Sequence, residues 1–141
     1  MDLQVKDKVF IVTGGAMGIG GAISRAIAAE GGIPVIVDRS APAANKLADN
    51  LPQALPIASE VGSPESCQQI VSQALAQYGR IDGMVNNVGS NDGVSLEHGS
   101  PESWLASLDK NLHHYYYMAH YAFPHLNPHT GSIANLRSKN R

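Results

Sequence analysis

Four short, mostly apolar runs recur along the chain, and longer stretches with helical spacing separate them. The runs are rich in β-branched side chains and cover residues 9–12, 33–37, 54–58 and 81–85. A run of this kind is typical of a parallel strand that is buried on both faces. The intervening stretches predict helices over residues 22–29, 41–50 and 64–78. This alternation of strands and helices predicts an α/β fold built on a parallel sheet.

The last third of the chain predicts one long helix and a fifth strand. Ser100 precedes the helix as an N-cap, and Pro101 occupies its first turn. The spacing of its apolar residues predicts a broad buried face, which we also expect to be the contact between subunits. These residues are Trp104, Leu105, Leu108, Leu112, Tyr115, Met118, Ala119 and Ala122. The fifth strand is predicted within residues 131–138.

The composition is that of a soluble globular protein, with 43% hydrophobic and 16% charged residues. A chain of 141 residues forms one domain at most. Its net charge of -2 offers no basic surface to a nucleic acid, and no apolar run approaches the ~20 residues of a membrane span. The N-terminus lacks a secretory signal, and the single cysteine, Cys67, is expected to be an inert thiol in a reducing compartment. We therefore expect a cytoplasmic protein without nucleic-acid or membrane partners.

Five glycines lie between the first strand and the first helix, and three of them define a recognisable pattern. Gly14, Gly18 and Gly20 form a turn whose backbone angles favour glycine and whose N–H groups can approach a ligand closely. The helix that follows presents unpaired N–H groups and a positive dipole end, which together suit a phosphate. A P-loop is excluded because no Lys-Ser or Lys-Thr pair follows the last glycine. A dinucleotide site is favoured over a tight turn that binds no ligand.

Asp38 ends the second strand, eighteen residues beyond Gly20. In dinucleotide-binding folds an acidic residue about twenty residues on accepts hydrogen bonds from the ribose hydroxyls and repels a 2′-phosphate. Asp38 therefore favours NAD over NADP, although Arg39 beside it can pair with a 2′-phosphate. Asp38 can also serve as the N-cap of the next helix, and the two roles are compatible.

The histidines of the last third of the chain do not favour a metal site. A helical metal site needs two histidines four residues apart together with a further ligand. His113 and His120 have the wrong spacing, and His114 adds no suitable pair. His125 and His129 have the right spacing, but prolines interrupt the helix there. No metal is expected.

The pattern Thr-Gly-x-x-x-Gly-x-Gly at residues 13–20, with Asn86-Asn-Val-Gly at 86–89, resembles the short-chain dehydrogenase/reductase family. The resemblance implies a Rossmann-like, doubly wound sheet with the strand order 3-2-1-4-5 and an NAD(P) site. Glu60 and Val61 correspond to an Asp-hydrophobic pair that contacts adenine in the family. The resemblance further assigns the cofactor to Gly14, Met17, Gly18, Ile19, Gly20, Asp38, Arg39, Asn87, Val88 and Gly89.

The same resemblance implies a hydride-transfer reaction between an alcohol and NAD. Asn111 matches an Asn that holds a water of the family's proton relay, and Ser138 matches a serine that hydrogen-bonds the reacting oxygen. Arg137 stands where a small residue is usual. The family's acid/base is a Tyr with a Lys four residues later, and no Tyr of this chain has that partner.

Residues 91–94 and 111–121 resemble those of bacterial sugar dehydrogenases that act on L-fucose. This resemblance implies a sugar or other alcohol as substrate and, as is common in the family, a homo-oligomer. Relative to the family the single domain at 1–141 is expected to be truncated after the fifth strand. The alternative is a nucleotide-binding fragment, or a truncated gene product, that does not catalyse.

Overall fold

The structure, a computed structural model, describes residues 3–136. Within this range five parallel strands form one open sheet in the order β3-β2-β1-β4-β5. The strands are β1 (Val9–Thr13), β2 (Ile33–Asp38), β3 (Leu55–Ala58), β4 (Gly83–Asn86) and β5 (Ser132–Asn135). The predicted Rossmann-like α/β fold and its strand order are confirmed.

Helices connect the strands of the sheet. They are α1 (Gly18–Ala29), α2 (Ala41–Ala48), α3 (Pro64–Tyr78), α4 (Pro101–Leu108) and α5 (His114–Ala122). The predicted cap at Ser100 is confirmed, because its hydroxyl accepts a hydrogen bond from Ser103 N at 3.2 Å. The N-cap of α2 is Ser40 and not Asp38, and its hydroxyl accepts from Ala43 N.

Apolar side chains of β1 and β2 pack on both faces of the sheet, which explains their continuous apolar runs. Ile11 and Val35 join the larger cluster under α3 and α5, where Met118 is fully buried. Ile36 belongs to a second cluster on the opposite face, with Leu47 of α2. Covering both faces fixes the sheet in the middle of the domain, so that only its ends and edges remain for binding.

The predicted long helix is interrupted. A π-helical turn at Asp109–His113 separates α4 from α5. Such a turn inserts extra backbone, so the apolar positions before and after it no longer share one face. The prediction of one broad buried face is wrong for α4, which buries none of its residues, and Trp104, Leu105 and Leu112 are exposed. The use of this surface as a subunit contact remains a prediction.

β5 lies at one edge of the sheet and is shorter than the predicted range. It pairs with β4 over four residues, and Leu136 adds one further hydrogen bond from its N–H to Asn86 O at 2.9 Å. Ser132, Ala134 and Asn135 are exposed. The strand continues the parallel ladder but buries little side-chain surface.

The Asp82 carboxylate joins the start of β1 to the residues just before β4. Its Oδ2 accepts hydrogen bonds from Val9 N at 2.9 Å and from Arg80 Nε at 2.8 Å. Asp82 is only 4% exposed. Burial alone would raise the pKa of Asp82, but the hydrogen bonds from Arg80 and Val9 outweigh it and lower the pKa below its usual value. Asp82 interrupts an apolar run in the sequence, but the pattern does not indicate which groups its carboxylate contacts.

Replacing Asp82 by asparagine should destabilise the fold by about 1–3 kcal/mol, because the amide carries no charge to pair with Arg80 and has one acceptor oxygen in place of the two that Arg80 and Val9 use. The lowered pKa has a further consequence. The stabilising contribution of Asp82 is present above its unfolded-state pKa of about 3.9 and is lost as the pH falls through the folded-state value. Urea unfolding between neutral and acidic pH checks both effects.

In the D82N variant the acid-side loss of stability should be smaller than in the wild type. Asp49→Asn is the matched control, because Asp49 is exposed and its replacement should change stability by no more than about 0.5 kcal/mol. Equal acid-side slopes for wild type and D82N would contradict the assignment.

Candidate nucleotide-binding site

The carboxyl ends of β1, β2, β3 and β4 surround a cavity of about 520 Å³. This is the edge of a parallel sheet at which ligands bind in open α/β folds. The cavity is lined by ten of the twelve residues that the sequence assigned to the cofactor. These ten are Gly14, Met17, Gly18, Asp38, Arg39, Glu60, Val61, Asn87, Val88 and Gly89.

The three glycines of the turn meet different requirements. Gly14 and Gly18 have positive φ angles of 62° and 53°, which disfavour any other residue. Around Gly18 no described atom lies within 4 Å of where a Cβ would be, so its outer side is open toward the cavity. Gly20 does not line the cavity. A Cβ on Gly20 would lie 2.1 Å from the Gly14 carbonyl oxygen, so it is a packing glycine that lets α1 start directly beneath the turn.

The N-terminus of α1 carries no side-chain cap. Met17 occupies the N-cap position with extended backbone angles and makes no capping hydrogen bond through its side chain. The first N–H groups of the helix therefore face the cavity edge without a competing acceptor from the cap residue. Met17 and Ile19 are 60% and 66% exposed, so their side chains flank the opening and do not fill it.

Ser24 supports the turn from below and was missed in the sequence. Its hydroxyl is fully buried, 2.9 Å from Gly15 O and 3.1 Å from Gly20 O. These contacts hold the turn against the second helical turn of α1. A serine one turn beyond the last glycine, on the inward side of the helix, is the signal that could have identified it.

Backbone N–H groups of the glycine turn and of the residue before α2 hold the Asp38 carboxylate in place. Its Oδ2 accepts from Ala16 N at 3.2 Å and its Oδ1 accepts from Ser40 N at 3.0 Å. With 9% of its surface exposed, Asp38 still lines the cavity. Arg39 next to it is exposed at the cavity rim. A carboxylate with two lone pairs on each oxygen can hold these backbone donors and still accept from a ligand hydroxyl.

Asn87 joins β4 to the end of β1. Its side-chain NH₂ donates to Thr13 O at 3.1 Å and lies 3.3 Å from Gly14 O, while its backbone N–H donates to the Thr13 hydroxyl at 3.0 Å. Val88 follows with its backbone N–H 3.4 Å from the same hydroxyl. These contacts fix the chain leading to Gly89 against the glycine turn. They therefore fix the distance between the two sides of the cavity that follow β1 and β4.

Glu60 and Val61 lie on the side of the cavity formed by β3. Val61 is 6% exposed and packs in the larger core cluster while still lining the cavity. Glu60 is exposed at the rim. The arrangement provides an apolar wall with a carboxylate beside it, which suits the face and polar edge of a flat base.

A second cavity of about 570 Å³ lies beyond Gly89 and contains Asn111 and Ile19. Asn91 and Asp92 of the loop after β4 line it. The Ser107 side chain is the largest influence on the pKa of Asp92 and lowers it.

Asn111 lies within the π-helical turn. Its Oδ1 accepts from Ser90 N at 2.6 Å and its NH₂ donates to Ser107 O at 3.1 Å. Both ends of the amide are thus engaged within the chain, and the side chain positions the loop after Gly89. Ser138, the other predicted catalytic residue, and Arg137 lie outside the described residues.

Within residues 3–136 the side chains that could bind a metal ion are scattered, and the single cysteine is buried. No three His, Cys, Asp or Glu side chains of this range come close enough together to hold a metal ion. Cys67 is buried, and burial raises the pKa of its thiol to about 11. No helix in the described part of the chain is long and apolar enough to cross a membrane.

The glycine turn, the acid at the end of β2 and the asparagine bridge form one arrangement around the main cavity. A family model described as short chain dehydrogenase matches residues 8–141. The chain belongs to the short-chain dehydrogenase family. The family implies binding of NAD(P), and the residues of the main cavity fit that group. Its lining includes the open turn at Gly18, the uncapped start of α1 and the Asp38 carboxylate at the end of β2.

Several relatives of this chain are named as sugar dehydrogenases. The chain is 35% identical over 130 residues to L-fucose dehydrogenase of Oryctolagus cuniculus, covering 92% of this chain and 46% of that relative. It is 33% identical over 141 residues to a probable galactose dehydrogenase of Rhizobium meliloti, covering 96% of this chain and 55% of that relative. The predicted likeness to L-fucose dehydrogenases is confirmed.

Solved structures agree with this assignment. The chain matches the crystal structure of Cj0485 dehydrogenase with a TM-score of 0.90 and 37% identity, over 99% of this chain and 54% of that one. The chain therefore spans about half the length of the relatives it matches.

Proposed function

We propose that this chain provides the nucleotide-binding half of an NAD-dependent oxidoreductase that acts on a secondary alcohol of a sugar such as L-fucose. The observation that carries the proposal is the Asp38 carboxylate, held by two backbone donors at the end of β2 and lining the same cavity as the glycine turn. When bound, NAD would accept or donate the hydride.

Each part of the cavity has a role toward the nucleotide. The Gly14–Gly18 turn and the start of α1 bind the phosphates through N–H groups. Asp38 accepts from the ribose hydroxyls, and its negative charge disfavours a 2′-phosphate, so NAD is preferred to NADP. Asn87 holds the chain around Gly89 in place beside the second cavity, where the reacting end of the nucleotide and the substrate would meet.

The polar residues of the second cavity support a sugar as substrate. Asn91, Asp92 and Ser90 offer amide, carboxylate and backbone groups to a ring that carries several hydroxyls. The names of the relatives, L-fucose dehydrogenase and galactose dehydrogenase, support the same class. The side-chain amide of Asn111 keeps one N–H and one oxygen lone pair beyond its two contacts, so Asn111 retains the water-holding role that the resemblance implies. Ser138 keeps the carbonyl-binding role that the resemblance implies.

The alternative is a module that binds the nucleotide without turnover. A feature that favours it is that none of the tyrosines between Tyr78 and Tyr121 has a Lys four residues later. Tyr115, which lines the second cavity, cannot replace that pair readily, because its hydroxyl donates to Leu136 O and burial raises its pKa above the usual value.

One assay separates the two functions. The purified 141-residue chain is incubated with NAD and L-fucose, and so is a chimera in which residues 1–136 precede the C-terminal half of the Oryctolagus cuniculus relative. The oxidoreductase proposal predicts NADH formation by the chimera and none by the chain alone. A chimera that binds NADH yet oxidises neither L-fucose nor galactose would leave the binding module as the better description.

A further inference from the structure

His114 is a buried imidazole that no role assigned so far uses. It is the first residue of α5, directly after the π-helical turn, and is 1% exposed. Neither Nδ1 nor Nε2 has a hydrogen-bond partner among the residues that the structure describes. The ring lines the main cavity together with Glu60 and Val61, and it does not line the second cavity.

The unpaired ring is an energetic anomaly within the described fold. A buried polar group without a partner costs about 1–3 kcal/mol, and such groups are rare in native proteins. Burial lowers the pKa of His114 to about 4. The Lys110 backbone acts in the opposite direction, but its influence is smaller. At neutral pH the ring is therefore uncharged and offers one donor and one acceptor.

The surroundings of His114 indicate which part of a ligand it would meet. One edge of the ring packs against Tyr115, with the ring centroids 4.6 Å apart. One turn further along α5, Met118 packs in the same core cluster as Val61. Since α5 packs against α3, the helix that follows Val61, His114 at the start of α5 lies on the Val61 side of the cavity.

We propose that His114 hydrogen-bonds the adenine end of the bound dinucleotide, and that this contact satisfies the buried ring. A neutral imidazole and the edge of adenine are complementary, because each carries both a donor and an acceptor. The inference rests on the proposed function, since it requires an adenine nucleotide in the main cavity. It adds a binding residue that the glycine and acid pattern does not contain.

The test compares the full 141-residue chain with its H114F, H114Q and H120F variants in titrations with NADH and with AMP. His114→Phe removes both ring nitrogens and should weaken NADH and AMP by the same factor, about three- to tenfold. His114→Gln retains a donor and an acceptor and should recover part of that loss. His120→Phe is the matched control, because His120 is exposed on the same helix and should bind both ligands as the wild type does.

A spectroscopic readout on the wild type removes any dependence on the folding of the variants. In NMR spectra of the chain with ¹⁵N-labelled histidine, the chemical shifts of the His114 ring nitrogens should change on addition of either NADH or AMP. Unchanged His114 signals at saturation, or equal affinities of wild type and H114F, would overturn the proposal while leaving the nucleotide site intact. A loss for NADH without a loss for AMP would also overturn it. Wild-type chain that binds neither ligand would instead refute the proposed function.

Discussion

Replacing Gly20 by alanine should destabilise the chain by about 3 kcal/mol or more and remove measurable NADH binding. The added Cβ would lie 2.1 Å from the Gly14 carbonyl oxygen and 2.6 Å from Asn87 Nδ2. The first of these is a backbone atom of the turn and cannot rotate away. The clash can be relieved only by moving α1 from the turn, which would displace both the phosphate-binding N–H groups and the asparagine bridge.

Urea unfolding and an NADH titration measure the two effects of Gly20→Ala. Gly62→Ala is the matched control for the unfolding measurement, because no described atom lies within 4 Å of a Cβ at Gly62 and its φ is not positive. The control should be as stable as the wild type or slightly more so, since alanine restricts the unfolded chain. A G20A variant that keeps wild-type stability and affinity would contradict the close packing of turn and helix.

Replacing Asp38 by asparagine should lower the preference for NADH over NADPH by about tenfold or more, which corresponds to about 1.4 kcal/mol of binding free energy. The amide preserves the size of the side chain but removes the charge that repels a 2′-phosphate. Arg39 at the rim is then free of a competing negative neighbour and can pair with that phosphate. Parallel fluorescence titrations with NADH and NADPH give the ratio.

The D38N variant should also lose about 1 kcal/mol of stability, because the amide can accept from only one of Ala16 N and Ser40 N. Glu60→Gln is the matched control, as it removes a carboxylate from the rim of the same cavity without such contacts. If E60Q shifted the NADH:NADPH ratio as much as D38N does, general charge and not Asp38 would set the preference.

The sheet could be predicted from the sequence because both of its faces are buried. Continuous apolar runs such as 9–12 and 33–37 are what a two-sided core requires, and the glycine turn between strand and helix has few other structural meanings. The glycine turn and Asp38 were predicted from their spacing, whereas the other cavity residues were assigned through the family resemblance.

Features that depend on three-dimensional neighbours could not be predicted. The π-helical turn at Asp109–His113 changes which face of the helix the later residues occupy. It contains no proline or glycine that would indicate it in the sequence, so the apolar spacing wrongly predicted one continuous buried face. Nothing in the run His113-His114-Tyr115 indicates which imidazole points inward. Arg80 and Asp82 are only two positions apart, but the Asp82 carboxylate also accepts a hydrogen bond from Val9 N, and Val9 is far away in sequence.

Isothermal titration calorimetry of the 141-residue chain with NADH and with NADPH tests the central claim most directly. The cavity built by the glycine turn, Asp38 and Asn87 predicts saturable binding of one NADH per chain, with NADPH bound about tenfold or more weakly. An absence of binding heat with NADH across a range of temperatures, or tighter binding of NADPH, would contradict the assignment of this cavity as an NAD site.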